Sequence, residues 1–172
     1  MNKNIAIKKS DSHEYFDHHE VKFILGDLQA TRQLAELLAQ YVRIGDILCL
    51  KGELGSGKTA FAKAFINNFF DKREEVLSPS FGLVQIFSAP QFVISHYDLY
   101  RVKNPEELEE IGLEEAFTHG VTLIEWPEII GSRLPEDHVE LTFDYMGSDE
   151  ESRIVSITGY GFWQVLLKEI FN

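Results

Sequence analysis

Eight consecutive residues, Gly52-Glu53-Leu54-Gly55-Ser56-Gly57-Lys58-Thr59, hold the residue types that phosphate chemistry requires, at the spacing it requires. In the pattern Gly-x-x-x-x-Gly-Lys-Thr, the glycines let the backbone curl until successive N–H groups face one hollow. Side chains there would fill the space that phosphate oxygens need. Lys58 brings a positive charge to the outer phosphates, and the Thr59 hydroxyl is able to ligate Mg²⁺. The apolar run before the loop (46–50) reads as a buried strand, and the run after it as a helix. The start of that helix adds its own partial positive charge. The expected ligand is ATP or ADP with Mg²⁺, held by Gly52, Glu53, Leu54, Gly55, Ser56, Gly57, Lys58, Thr59 and Ala60.

Such a site also calls for a carboxylate at the end of a neighbouring strand, to hold the metal or orient a water. Two acids meet that description. Glu125 ends the run "VTLI", and Asp98 follows "FVISHY". Lys58, Glu125 and Asp98 are therefore the expected catalytic groups, and Thr59, Glu125 and Asp98 the expected metal ligands. A glutamate at a strand end suits the polarising of water, so hydrolysis fits better than transfer to an alcohol. The Asn/Thr-Lys-x-Asp pattern of guanine recognition does not occur, and the six arginines are scattered rather than gathered for two sets of phosphates. Adenine is favoured over guanine, and an ATPase over a small-molecule kinase. Two alternatives stay open: such a kinase, and a nucleotide-gated binding module without catalysis.

The elements that must position these groups follow from periodicity. "VKFIL" (21–25) reads as a strand. Asp27 can cap a helix with Leu34, Leu37, Leu38, Tyr41 and Val42 at helical spacing. Phe61, Ala64, Phe65, Asn68 and Phe69 mark a second helix ending near Asp71–Lys72. Residues 82–87 and 91–100 read as paired strands, 104–117 as one helix, 121–126 as a buried strand and 127–135 as a short helix or turn. Residues 138–146 and 152–160 alternate as a hairpin. A closing helix over 162–171 presents Phe162, Val165, Leu166, Glu169 and Ile170 as its packing stripe. The expected fold is a single-domain α/β phosphate-loop NTPase-like three-layer fold, with a mixed, mainly parallel sheet and antiparallel hairpins.

The chain as a whole sets outer bounds. Its 172 residues suffice for one buried core and are short for two. The first 20 residues read as a polar leader, in which His13, His18 and His19 suit a frayed segment better than a metal site. No apolar run nears the roughly 18 residues of a membrane span, and the start lacks a signal-peptide core. A lone cysteine, Cys49, excludes an internal disulfide, so a cytoplasmic address is expected. The net charge of −12 and the lack of a basic stripe argue against autonomous DNA or RNA binding.

Five blocks together resemble the bacterial TsaE (YjeE) family: "GELGSGKT" (52–59), "SPSFGLV" (78–84), "HYDLYRV" (96–102), "PEELEEIGLEEAF" (105–117) and "IEWPEI" (124–129). They span roughly residues 20–145, and the Leu-Tyr-Arg and Glu-Trp-Pro runs are not general features of phosphate loops. The resemblance implies a weak Mg²⁺-dependent ATPase of tRNA threonylcarbamoyladenosine biosynthesis. It implies docking on a TsaB–TsaD heterodimer, in which TsaD modifies adenosine 37 of tRNAs reading codons that begin with A. It also implies that tRNA is met only through that complex. Trp126, which by itself reads as packing beside Pro127, becomes a functional tryptophan. Ser80, in Ser78-Pro79-Ser80 where the family usually has Ser-Pro-Thr, becomes a switch-like contact to the γ-phosphate or Mg²⁺. Ala60 stands where a second hydroxyl is common and removes one contact to the α-phosphate. Arg101 is the nearest cis arginine by motif position.

Overall fold

The computed structural model describes residues 19–72, 74–79, 82–147 and 149–171. Of the residues singled out above, His13, His18 and Ser80 lie outside this set. One seven-stranded sheet carries β1 (His19–Leu25), β2 (Ile47–Gly52), β3 (Val84–Ser88), β4 (Val93–Asp98), β5 (Gly120–Glu125), β6 (Val139–Met146) and β7 (Asp149–Gly159). The strand order is β1-β7-β6-β2-β5-β4-β3. The centre, β6-β2-β5-β4, is parallel; β7 and β1 extend it antiparallel on one side and β3 on the other. This is the expected mixed α/β fold, with its hairpins at the margins.

Parallel strands must be covered on both faces, and β2 and β5 show it in their sequences. Leu48 and Leu50 of β2 pack into one core cluster, with Leu34 and Leu38 of α1 (Leu28–Ala39), Phe61 and Phe65 of α2 (Lys58–Asn67), and Trp163 and Leu167 of α5 (Phe162–Phe171). The alternate residues Ile47 and Cys49 join a second cluster with Leu108 of α3 (Glu107–Glu110), and with Leu113 and Phe117 of α4 (Leu113–His119). Helices on both faces of the parallel centre therefore make three layers. On the antiparallel side the second face is mixed and half-buried, with Lys22, Thr142 and Ser156 upon it beside Ile24 and Ile154.

Asp27 caps α1 as expected, its Oδ1 accepting from the Ala30 N–H at 2.8 Å. Three local expectations are corrected. The second helix stops at Asn67 because two asparagines turn back on it: Asn67 Nδ2 donates to Lys63 O, and Asn68 Nδ2 to Ala64 O, each at 2.8 Å. The single helix over 104–117 is broken into α3 and α4 at Gly112, whose φ of +66° interrupts the helical ladder. In α5 the buried residues are Trp163 and Leu167, whereas Phe162 and Val165 are exposed. That helix is apolar nearly all round, so spacing alone does not choose its face; Trp163 does, donating its Nε1–H to Asp46 Oδ1 at 3.1 Å.

On the half-open side of the sheet, Glu140 pairs with Lys51 and lies 3.7 Å from His138 Nε2. Burial alone would raise its carboxyl pKa. The bonds and charges of His138 and Lys51 outweigh burial and bring it down to about 2 from 4.5. A depressed carboxyl stabilises the fold above its unfolded pKa and loses that contribution as pH falls through the folded value. Thermal midpoints are therefore expected to fall between about pH 4.5 and pH 2, with a shallower acid limb for Glu140→Gln. Superimposable acid limbs for the two proteins would refute this.

Candidate functional site

The parallel centre brings the ends of β2, β4 and β5 to one edge, where an open α/β sheet places its ligands. β2 runs directly into the glycine-rich loop 53–57, and the loop into α2. Gly52 is forced at that junction. Its φ is +129°, and a Cβ there would stand 2.3 Å from the carbonyl oxygen of Phe143 on β6. β4 and β5 pair in register so that Asp98 lies opposite Glu125. The two predicted acids are thus neighbours, reached from strands separated in sequence by two helices.

A groove of about 370 Å³ opens at this edge. Of the predicted residues, Leu54, Gly55, Gly57, Lys58, Thr59 and Ala60 line it from the loop side, and Asp98, Glu125 and Trp126 from the strand side. Gly52 and Glu53 contribute from beneath: their carbonyl oxygens accept from Lys58 Nζ at 2.7 and 2.8 Å. Ser56 points behind the loop, toward a small cavity of about 80 Å³. Its Oγ is buried and has no hydrogen-bond partner among the described residues. Arg101 is exposed in the turn after β4 and is not part of the groove lining. A wider hollow of about 550 Å³ between α1 and α2 shares Ala60 with the groove.

The charged groups are held tightly. Lys58, Asp98 and Glu125 are all almost wholly buried. Burial pushes the Lys58 ammonium pKa down, against the pull of the Glu125, Asp98 and Glu128 carboxylates. Thr59 Oγ1 lies 2.9 Å from each oxygen of Glu125. Asp98 accepts from Ser78 Oγ at 2.7 Å and from the Tyr100 N–H at 3.2 Å. No side chain caps the start of α2, so the amides of its first turn face the groove without a protein acceptor from a capping residue. An uncapped helix start, a buried ammonium and an adjacent hydroxyl suit a phosphate. The Thr59 hydroxyl and two carboxylates form an all-oxygen set suited to Mg²⁺.

Trp126 follows Glu125 with φ +60° and ψ +55°, a conformation that costs a non-glycine residue roughly 1–3 kcal/mol. The strain places its ring 4.0 Å from Lys58 Nζ and 4.9 Å from the Tyr100 ring. A ligand that draws Lys58 toward phosphate must alter that cation–π contact. Emission from Trp126 is therefore expected to change on addition of Mg·ATP. Trp163, the other tryptophan, is fully buried against Asp46 and should stay silent. The change should vanish in Trp126→Phe; an unaltered response there would place its source elsewhere.

Several contributors were not foreseen. Ser78 donates its hydroxyl to Asp98. Tyr145 of β6 donates its hydroxyl to Leu54 O at 3.0 Å, and Arg153 of β7 donates Nε–H to Ser56 O at 3.1 Å. The two brace the loop from outside and meet each other, the guanidinium 4.4 Å from the tyrosine ring. Nothing local in the sequence points to them, because their strands reach the loop only through the sheet order. His96 is completely buried, with Nε2 2.9 Å from Glu125 Oε1. The one available signal for it was a histidine in a strand whose same-face neighbour, two residues on, is Asp98.

Comparison with known proteins finds relatives over most of the chain. The family model "Threonylcarbamoyl adenosine biosynthesis protein TsaE" matches residues 25–155. A Rickettsia felis protein named tRNA threonylcarbamoyladenosine biosynthesis protein TsaE is 42% identical over 134 residues, 78% of this chain and 77% of the relative. A Bacillus subtilis protein of the same name is 33% identical over 144 residues, 83% and 88% of the two chains. The crystal structure of YdiB from Bacillus subtilis superposes with a TM-score of 0.74 at 28% identity, covering 92% of this chain and 97% of that one.

Proposed function

The chain belongs to the TsaE family of tRNA threonylcarbamoyladenosine biosynthesis, and from that premise we propose that it is the system's ATP-binding and ATP-hydrolysing subunit. It acts on a complex of TsaB and TsaD and meets tRNA only through them. The observation that carries this reading is the convergence of Lys58, Thr59, Asp98 and Glu125 at the start of an uncapped helix.

In this reading the loop amides and Lys58 bind the phosphates of ATP. Thr59, Glu125 and Asp98 would hold Mg²⁺, which when bound offsets the negative charge of the phosphates. Glu125 orients a water for attack on the γ-phosphate, and Lys58 stabilises the charge that develops on its oxygens. Trp126 and Tyr100 shield that end of the groove. Among the described residues no arginine lines the groove; in this reading the chain alone turns over slowly, and its partners raise the rate.

Phosphate release from Mg·ATP should be measured for the chain alone and with TsaB, TsaD and tRNA, alongside formation of the modified adenosine. Slow release alone and faster release in the full mixture are expected. Equal rates with and without partners, or phosphate appearing on a nucleoside or sugar instead of in solution, would overturn the proposal.

A further inference from the structure

His96 occupies a position that strand periodicity reserves for an apolar side chain. It lies in β4 between the buried Ser95 and Tyr97, two residues before Asp98 and on the same face of the sheet. The register with β5 sets His96 beside Leu123, one diagonal step from Glu125. Its side chain has no exposure, and its Nε2 lies 2.9 Å from Glu125 Oε1. Nδ1 is buried with no partner among the described residues. A carboxylate only accepts, so Nε2 carries the proton in this bond, while Nδ1 is left a polar atom without a partner of its own among the described residues. An imidazole here leaves a polar atom unsatisfied that leucine would not have, and it is placed so that its other nitrogen reaches one oxygen of one residue.

Thr59 alone leaves Glu125 incompletely fixed. Its Oγ1 is equidistant, at 2.9 Å, from Oε1 and Oε2. One hydroxyl proton shared between two equivalent oxygens sets where the carboxylate sits but not which oxygen faces which way. The terminal torsion of glutamate is broad and contributes no preference of its own. His96 breaks that symmetry by binding Oε1 and not Oε2. We propose that His96 is the positioning residue of this site: its Nε2–H fixes the rotation of Glu125, so that Oε2 is the oxygen presented to water or metal. The proposal rests on the ATP-hydrolysing reading above. Residues that orient a ligating or catalytic group in this way typically contribute about 10–100-fold to activity.

The test compares His96→Leu, His96→Asn and His96→Gln in the full mixture with TsaB, TsaD and tRNA. Glutamine can extend an N–H to about the position of Nε2, and asparagine cannot reach it. His96→Leu and His96→Asn should each lower kcat by about 10-fold or more, with the KM for ATP and the Trp126 response unchanged. His96→Gln should recover most of the rate. In a Glu125→Gln background, His96→Leu should cause no further loss, since its effect passes through the carboxylate. Wild-type kcat in His96→Leu, or in His96→Asn where the leucine variant does not fold, would overturn the proposal. So would equal losses in the asparagine and glutamine variants, or an undiminished further loss on the Glu125→Gln background. No phosphate release by the wild-type mixture would overturn the ATPase reading itself, and this proposal with it.

Discussion

Lys58→Ala is expected to bring ATP turnover in the complete mixture to background, a loss of at least about 10²–10³-fold, the scale seen when one charge-stabilising donor is removed from an active site. Lys58 Nζ is the groove's buried cation, held by the carbonyls of Gly52 and Glu53 and by the Trp126 ring. Burial already disfavours its charged form, so the protein bears a cost to keep an ammonium there. Alanine removes the charge and leaves Asp98 and Glu125 facing phosphate without compensation. Binding should fall along with turnover, and the Trp126 emission change should be lost because its cationic neighbour is gone. Circular dichroism should report an intact fold, since the packing of α2 rests on Phe61, Ala62, Phe65 and Ile66. ATP-dependent phosphate release by Lys58→Ala near the wild-type rate would remove the phosphate-loop mechanism.

Glu125→Gln should have a comparable effect on turnover with a different signature. Glutamine preserves the shape of the side chain and replaces one acceptor oxygen with a donor. The hydroxyl of Thr59 and the imidazole of His96 can then no longer both be satisfied as they are now. The expected loss in kcat is about 10²–10⁴-fold, the range for removal of a general base, while ATP still binds and still perturbs Trp126. Raised Mg²⁺ should restore only part of the rate, since Glu125 is assigned to the attacking water as well as to the metal. Full rescue by Mg²⁺ would confine it to the metal, and a wild-type rate would exclude it from the reaction.

The site was readable where its parts are contiguous or where a strand announces its own end. The run Gly52–Thr59 needs no knowledge of the fold, and Asp98 and Glu125 each close an apolar run at the residue where a strand must stop. Their juxtaposition followed once β4 and β5 paired in parallel. Ser78, Tyr145, Arg153 and His96 could not be read in the same way, because each acts across a contact between elements whose order no local pattern encodes. The helices show the same division. The Asp27 cap was legible because capping is a matter of three residues. The break at Gly112 was masked by an acid-rich, helix-favouring stretch on both sides of it. The buried face of α5 was misread because Phe162, Trp163, Val165, Leu166 and Leu167 offer more than one apolar stripe, and the partner Asp46 decides between them.

The position of β7 in the sheet has a consequence for the order in which a ribosome delivers this chain. The phosphate loop leaves early, but Phe143, against which Gly52 closes, and the braces Tyr145 and Arg153 arrive only with β6 and β7. β1, made first of the described strands, pairs among the described residues with β7 alone and waits for it. On the proposed reading, a nascent chain holds the nucleotide-binding letters long before it holds the shape they need. A chain interrupted before β6 is then expected to gain no stability from ATP, which would stabilise only the finished protein.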